Sequence, residues 1–526
     1  MSPERLASGR RPVLRVTPFR AWRKRPAPAF TTPPRRARWR RVASPGALIA
    51  ALLCATLPGG AAGQSGRVTG TTFVQALDVR PLVDDSVPVG LTTGTGPYRQ
   101  LEDGRLVRCV DPEPYCRYRR PGSRVLATPL VQDLRVTAWG FGEGVSAHAF
   151  LRGRSPLGRD DVLWPRADDQ FDALEAWVQL DRERLRVRLG RQFTSNGLGV
   201  YNFDGGAVTA QRGDWRLEAF GGLSLVEGLN EPHTGDVLAE IDDLPPDENA
   251  WVLGGRLGTA LGRRGVVSGT YQRVIRTDRA SLYSERVAGN LSLRAAGTTV
   301  DAGWIHDLVT GEVNDALLRL ARPLPRRLNG TLELRRHRPF FETWTIWGAF
   351  SPVAFDEARA ALGWRDATGR LSVDTRGAWR RYEETNAGLE SIPLRTDGWR
   401  VGVGAEWSPR DALLWYGDYD VDIGFGASSA NVTLGGRWMP DERRFLGAAV
   451  TALQNIYEFR VGTGRVLGLH LEGGRDLSRD VRLVLDGAVY AHRLTPAPGT
   501  ADWSQRRFSV RLEWTVGADP GMAAPR

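Results

Sequence analysis

Apolar and polar residues alternate with a period of two along most of the chain. The stretch from Asp172 to Gly222 shows it best. Leu174, Ala176, Val178 and Leu180 alternate with Glu175, Trp177, Gln179 and Asp181. After a polar turn, Leu185, Val187 and Leu189 alternate with Arg184, Arg186 and Arg188, and then Trp215, Leu217 and Ala219 with Arg216 and Glu218. A strict period of two predicts strands with one apolar and one charged face. Alternating segments of about 9–12 residues, the length of a membrane-crossing strand, recur from Val68 to Val516, with no helical-period segment of useful length and no linker. The last of them sets Phe508, Val510, Leu512, Trp514 and Val516 against Ser509, Arg511, Glu513 and Thr515.

A soluble sandwich and a membrane barrel both use such strands, and the connections distinguish them. They alternate long and short. Segments 80–123, 153–171, 193–204 and 225–249 are long, whereas those at Gly142–Gly144, Asp181–Arg184, Gly213–Asp214 and Gly262–Gly265 are short. The phase continues to the end of the chain, with short connections near Thr277 and Val309 where long ones are due. Short periplasmic turns and longer outer loops are the habit of bacterial outer-membrane barrels; a sandwich has no reason to keep it. The expected fold is therefore all-β: a transmembrane antiparallel up-and-down barrel of about 18–22 strands in the outer membrane, with both termini on the periplasmic side. Aromatics near strand ends, among them Trp139, Phe141, Trp251, Trp304, Tyr382, Trp399, Trp407, Trp438 and Tyr490, suit girdles at the two membrane interfaces.

Charge changes the picture only at the N-terminus. Residues 5–41 carry 13 Lys or Arg, followed by the apolar run Ala47–Leu57 and the small residues GGAAG. Basic, apolar and small segments in that order predict a secretory signal over residues 1–63. Residues 64–517 are then the barrel and 518–526 a short tail. Leu53 ahead of Cys54 is not the small residue that a lipoprotein signal needs. The whole chain has 71 basic and 60 acidic residues; without the 13 basic residues and Glu4 of the leader the totals are 58 and 59, a net of −1. The basic balance thus gives no ground for nucleic-acid binding. Lys24 is the only Lys, so any fixed cation beyond the leader is Arg or His.

Candidate chemistry is sparse. Cys109 and Cys116, a close pair in an exported chain, predict one local disulfide. The six His residues are scattered, and no Gly-x-Ser-x-Gly, phosphate loop or Cys-x-x-Cys occurs, so neither an enzyme, a metal site nor a cofactor is expected. The charged faces supply the candidate lumen lining: Glu175, Arg186, Arg188, Arg216, Glu218, Arg256, Arg273, Asp301, Arg335, Arg437 and Asp486. Such charges set ion preference or pair across strands to keep the wall polar. The 225–249 loop carries eight acids and no Lys or Arg; it has no calcium-loop spacing and is read as a solvated acidic loop. The apolar loop Phe340–Pro352 is a candidate for folding into the lumen.

One local pattern resembles a known group. Gly190-Arg191-Gln192 closing a strand, Gly197 in a Gly-rich loop, and Asp204-Gly205 opening the next strand are similar to the alginate-export and phosphate-porin barrels. The resemblance covers about 50 residues and implies a passive channel with an Arg- and acid-lined lumen; solute identity does not transfer between such barrels. If Gly190 and Gly205 have only a structural role, they end strands. The last alternating segment resembles the terminal strand that outer-membrane barrels present to the barrel-assembly machinery.

The expected function is an outer-membrane porin passing small hydrophilic solutes, anions included, with outer-membrane lipid and the assembly machinery as partners and a homo-oligomer or a periplasmic partner open. The alternatives are a barrel sheath around a multihaem cytochrome and a structural barrel with a closed lumen. So wide a barrel, without a plug domain ahead of Val68, needs something in its lumen; 80–123 and 225–249 are the expected fillers, and the loop between Gln192 and Asp204 is the candidate mouth or constriction.

Overall fold

The alternating segments close into a ring. β1 (Ser65–Val79) pairs with β27 (Trp503–Gly517) on one side and β7 (Pro129–Trp139) on the other, all antiparallel. Between them run β8 (Val145–Pro156), β9 (Phe171–Arg182), β10 (Leu185–Asn196), β11 (Gly199–Arg212), β12 (Trp215–Ser224), β13 (Ala250–Ala260), β14 (Gly265–Arg276), β15 (Leu282–Ala295), β16 (Thr298–Asp307), β17 (Glu312–Leu324), β18 (Leu328–His337), β19 (Phe355–Arg365), β20 (Leu371–Tyr382), β21 (Asp397–Arg410), β22 (Leu413–Ile423), β23 (Ala427–Asp441), β24 (Arg444–Glu458), β25 (Gly464–Asp476) and β26 (Val481–Leu494), each paired with its chain neighbours. β6 (Val125–Ala127) continues β7 across Thr128 and pairs with the same strand, so the 23 strands of the sheet form a closed 22-strand barrel. The structure is a computed structural model and describes residues 65–517 apart from 81, 103–105, 111, 158–170, 226–249, 277–281, 339–353, 384–395, 425–426, 459–462 and 495–502. The leader, the C-terminal tail, most of the acidic loop and the apolar 340–352 loop lie outside the described residues.

Side-chain parity separates two faces. Leu185 and Leu189 on β10, Leu217 on β12, Leu253 and Leu257 on β13, and Leu467, Leu469 and Leu471 on β25 are 41–61% exposed. Large apolar side chains exposed all round a closed sheet form a lipid-facing surface. On β21, Trp399 and Trp407 both point outward and are each 51% exposed. They stand eight residues apart, which at about 3.4 Å per residue and about 40° of tilt is roughly 20 Å of membrane. Trp251, Trp304 and Trp438 share this outward face. Tyr490, Trp139 and Tyr382 do not: Tyr490 shares the inward parity of Asp486, with the Arg507 guanidinium 5.4 Å from its ring centre, Trp139 that of Arg135, and Tyr382 that of Arg380.

Short turns collect at the end where β1 meets the close of β27. Residues 183–184, 213–214, 296–297, 411–412 and 442–443 are two-residue links there. The other end carries the long connections, with 197–198, 308–311 and 424–426 among the short exceptions. The first of the long ones folds on itself. β2 (Leu82–Pro88), β3 (Tyr98–Gln100), β4 (Leu106–Cys109) and β5 (Tyr115–Pro121) make a separate four-stranded sheet, in the order β2-β5-β4-β3. A disulfide joins Cys109 and Cys116 across β4 and β5, with the Cα atoms 4.1 Å apart. Val107, Cys109 and Cys116 form its small core. The Arg120 guanidinium, 2.5 Å from Asp85, and the Ser86 N–H hold the Asp85 carboxyl below the ordinary carboxylate range.

Glycines recur opposite aromatic rings. The Trp514 ring lies where a side chain at Gly70 would go, across the closing β1–β27 seam, and Trp304 covers Gly289 in the same way. The pairing buries one face of each ring on bare backbone and protects strand hydrogen bonds where Gly has no side chain to pack. Gly70→Val is expected to displace Trp514 and destabilise the barrel by about 1–3 kcal/mol, read by urea unfolding in detergent. Gly90, with no atom near its would-be side chain, is expected to take Val with a change within about 0.5 kcal/mol.

Candidate functional site

The Gly190–Gly205 pattern folds as a hairpin that leaves the wall. Neither glycine ends a strand, contrary to the expectation from sequence. β10 runs on to Asn196, β11 begins at Gly199, and only Gly197 and Leu198 connect them. The stretch 193–204 carries no lipid-facing stripe because it does not stay in the wall; its apolar face, Tyr201 and Phe203, turns to the inner wall instead. β10 stays paired with β9 only up to Arg191, opposite Ala176. Beyond that level the tip reaches β15: a side chain at Gly197 would stand 2.5 Å from Asn290 Nδ2 and 3.2 Å from Ala288 Cβ. Arg286 of β15 donates to the Tyr201 hydroxyl. Arg286, Ala288 and Asn290 lie on the lumen face, opposite in parity to Val287 and Leu291, so the hairpin is folded across the inner wall over β12, β13 and β14. Tyr201, Phe203, Phe220, Val252 and Val274 pack together beneath it. Gln192 is 1% exposed and donates to Gly205 O at 3.1 Å.

Arg191 and Asp204 clamp the fold line. They are direct cross-strand partners, and the guanidinium makes a two-point fork on the carboxylate, 2.8 Å at each contact. A third nitrogen donates to Ala173 O at 2.9 Å, and Asn202 Nδ2 lies 3.4 Å from Leu174 O. Both carbonyls belong to the part of β9 that β10 has left, so the side chains stand in for the missing ladder bonds.

The lumen wall has two chemically different sectors. In the first, arginines lie on aromatic rings. Arg135 stands 4.1 Å from the Phe150 ring centre, Arg188 4.2 Å from Trp177, and Arg437 4.0 Å from Phe445. Arg188 also donates to Gln179 Oε1 at 2.7 and 3.0 Å, and His148 stacks on the other side of the same site, 5.0 Å from Trp177. Among the described residues, Arg135, Arg188 and Arg507 have no salt-bridged carboxylate. Cation–π contact fixes a guanidinium without cancelling its charge.

The second sector is acidic. Arg376 of β20 reaches across β21 to Asp418 and Asp420 of β22, at 2.7 and 2.5 Å, and holds Asp374 at 2.9 Å. It can do so because β21 presents glycine inward: a side chain at Gly402 would meet Asp420 and, at 2.6 Å, Arg376 Nε, and one at Gly404 would meet Asp374. The alternation Val401-Gly402-Val403-Gly404 is thus lipid outside and open space inside. Arg380 pairs with Glu357, and Arg400 with Asp422. Arg335 and His337 share Asp315, at 2.6 and 2.7 Å. One guanidinium among Asp374, Asp418 and Asp420 leaves that cluster negative. In strand order β10 and β21 are eleven apart in the ring of 22, so Arg188 lies across the ring from the acidic cluster, whereas Arg437 of β23 stands on the strand next to it.

Strand register puts Glu175, Arg186, Arg188, Arg216, Glu218, Arg256, Asp301, Arg335, Arg437 and Asp486 on the lumen face. Arg273 is on the other face: it pairs with Leu253, which is 47% exposed, and with Glu285, beside outward-facing Tyr271. The Thr-Tyr-Gln-Arg-Val run offers polar residues at both parities, so its pattern does not reveal which side points in. Arg376, Arg380 and Arg400 carry the acidic sector and were missed by the sequence reading; the paired inward glycines of β21 are the signal that could have found them. No group of three or more His, Cys, Asp or Glu among the described residues is placed to hold a metal ion.

An even-stranded closed barrel with an apolar outer band and both ends at its short-turn side is a bacterial outer-membrane architecture. No protein-family model and no curated protein matches the chain. Solved structures similar to it include Acinetobacter baumannii OccAB2, at 7% identity over 87% of this chain and 98% of that one, TM-score 0.40. The BenF-like porin of Pseudomonas fluorescens Pf-5 matches at 6% identity over 86% and 99%, TM-score 0.40. The anion-selective porin from Comamonas acidovorans matches at 13% identity over 86% and 100%, TM-score 0.30.

Arg191→Met leaves Asp204 without its fork and Ala173 O without its donor. It is expected to cost about 2 kcal/mol in urea unfolding. Arg186→Met, which breaks the pair with Asp181 at the half-exposed rim, is expected to cost less than about 1 kcal/mol.

Proposed function

We propose that the barrel is a passive diffusion channel of the outer membrane for small hydrophilic solutes, with a preference for anions. The observation that carries this reading is the sector of guanidinium groups laid on aromatic rings. Arg482 and Arg437 at Phe445, Arg188 and Arg135 all stand within about five residues of the short turns, and Arg507 at Tyr490 lies towards the other end. A carboxylate or phosphate moving down this wall meets successive bidentate donors. Arg437 and Arg482 also pair with Glu472 and Asp476; at Arg135, Arg188 and Arg507 the ring fixes the guanidinium and its positive charge is left for the solute.

The opposing carboxylates play a complementary part. Arg135 and Arg188, across the ring from the Asp374–Asp420 cluster, set a field across the lumen with it, which orients a dipolar solute and keeps small cations on the acidic side. The exposed ion pairs there add little stability each, so their value lies in the field. The hairpin narrows the lumen from the β12–β15 side and presents Phe193 and Val200, 46% and 61% exposed, on its uncovered face.

Purified protein in a planar bilayer is expected to give stepwise ohmic currents. In a KCl gradient the reversal potential is expected to lie on the chloride side. Replacing Arg135 and Arg188 together by Gln is expected to shift it towards potassium, and Arg376→Gln, which leaves three carboxylates uncompensated, is expected to do the same. Currents that are absent, or a reversal potential unmoved by either change, would overturn the reading.

A further inference from the structure

Three adjacent strands carry arginines on the lipid-facing side of the wall, at its long-connection end. Arg465 of β25 shares the outward parity of Leu467, Leu469 and Leu471, Arg493 of β26 that of Val489, and Arg506 of β27 that of Phe508. All three are exposed. Arg465 and Arg493 are direct cross-strand partners, so their side chains start about 5 Å apart. A fourth guanidinium joins them from the far side of β27. Arg124, just ahead of β6, donates to the Ser504 hydroxyl at 2.9 Å. Ser504 faces outward opposite Ala491. It stands two residues from Arg506 on its own strand and diagonal to Arg493, about 7–8 Å away. The four guanidiniums therefore make one patch. Among the described residues, the one carboxylate paired with any of them is Asp78, 3.9 Å from Arg124.

Strand geometry sets this patch at the edge of the hydrocarbon. Arg465 and Arg475 are ten residues apart on the outward face of β25, with Leu467, Leu469, Leu471 and Gly473 between them. At about 3.4 Å per residue and about 40° of tilt that is roughly 26 Å, the height of the apolar band of such a barrel. The outward faces below Arg493 and Arg506 are also uncharged, from Ala491 to Val481 and from Phe508 to Val516. Like charges directly opposite each other on paired strands are destabilising. The outward pair at the other boundary, Arg444 and Arg475, has Asp441 2.5 Å from Arg444. Arg465 and Arg493 have no such carboxylate among the described residues, so an anion from outside the chain is needed to offset their repulsion.

We propose that the patch of Arg124, Arg465, Arg493 and Arg506 binds the phosphate-bearing headgroup of a lipid in the outer leaflet. The long-connection end is the outer side of such a barrel. Guanidinium forks match phosphate oxygens bidentately, and basic clusters beside membrane hydrocarbon recognise phosphorylated headgroups. Several arginines on three strands suit a headgroup with more than one phosphate. Directly below them Leu467, Val489 and Phe508, 48–56% exposed, give the acyl chains of the same lipid an apolar surface, which a free phosphate would not use. The site lies on the outside of the barrel and does not rest on the channel reading.

Full-length protein in detergent, freed of co-purified lipid, is titrated with bisphosphorylated lipid A and with the same lipid stripped of its phosphates, and bound lipid is counted by native mass spectrometry. The wild type is expected to retain the bisphosphorylated form in preference to the stripped one. Arg465→Gln/Arg493→Gln is expected to weaken its binding at least about tenfold, whereas Arg475→Gln, at the opposite boundary of the same strand, is expected to bind as the wild type does. Folding is checked by the heat-modifiable migration of the barrel, and Arg493→Gln alone decides the matter if the double variant does not fold. Equal retention of the two lipid forms, an affinity unmoved by the substitutions, or displacement of the lipid by an equal concentration of inorganic phosphate would overturn the proposal.

Discussion

A sheet in a bilayer has no permissible edge. Every backbone N–H and C=O in the hydrocarbon must find a partner within the protein, so the β1–β27 pairing, eleven consecutive residue pairs from Arg67↔Gly517 to Leu77↔Arg507, is the contact on which the rest of the structure depends. It fixes the ring at 22 strands. At about 4.8 Å between strands and about 40° of tilt, a circular ring of that size is roughly 40 Å across between backbones. A lumen that wide needs structure inside it. The inward-folded hairpin and the long charged side chains meet that need, and both follow from closure.

The hairpin shows how the same constraint acts locally. When β10 and β11 turn off the wall, the upper part of β9 loses its neighbour, and its carbonyls would face an apolar medium. Arg191 and Asn202 supply donors to Ala173 and Leu174. Asp204 neutralises the arginine that does so. A motif that resembles a channel signature is thus explained by a structural duty, the satisfaction of an opened strand edge, which in turn allows a segment to enter the lumen. In the channel proposed above, the two charged groups would act on what passes the hairpin: guanidiniums held on rings, and a carboxylate cluster that the glycines of β21 leave room to assemble.

Much of this was legible in the sequence, where physics acts through period and phase. Lipid on one side and water on the other force alternation, which is why Leu185, Val187 and Leu189 announced their face without any structure. Turn length alternates because one end of each hairpin is short, and that phase identified the two ends. Signals that depend on who sits across the sheet were not legible. Arg273, Trp139, Tyr382 and Tyr490 do not reveal their faces, because their neighbours in sequence are polar or small at both parities. The 193–204 segment reads as a loop because its apolar residues, Tyr201 and Phe203, serve a contact on the inner wall and not a lipid-facing stripe. The reach of Arg376 over Gly402 needs three strands at once, and a single chain read in order does not reveal it. The separate sheet of 82–121 was invisible except for its cysteine pair, since strands of three to seven residues barely establish a period.

The central claim is that the hairpin lies folded across the inner wall and does not continue the barrel upward. Cysteines at Gly197 and Asn290 test it directly, since a side chain at Gly197 stands 2.5 Å from Asn290 Nδ2. Mild oxidation of Gly197→Cys/Asn290→Cys protein in native outer membranes is expected to give an intramolecular disulfide, seen as a mobility shift that reductant reverses. If this pair stays reduced while cysteines at the wall partners Asn290 and Gly303 become linked under the same conditions, the hairpin does not reach β15 and the account fails.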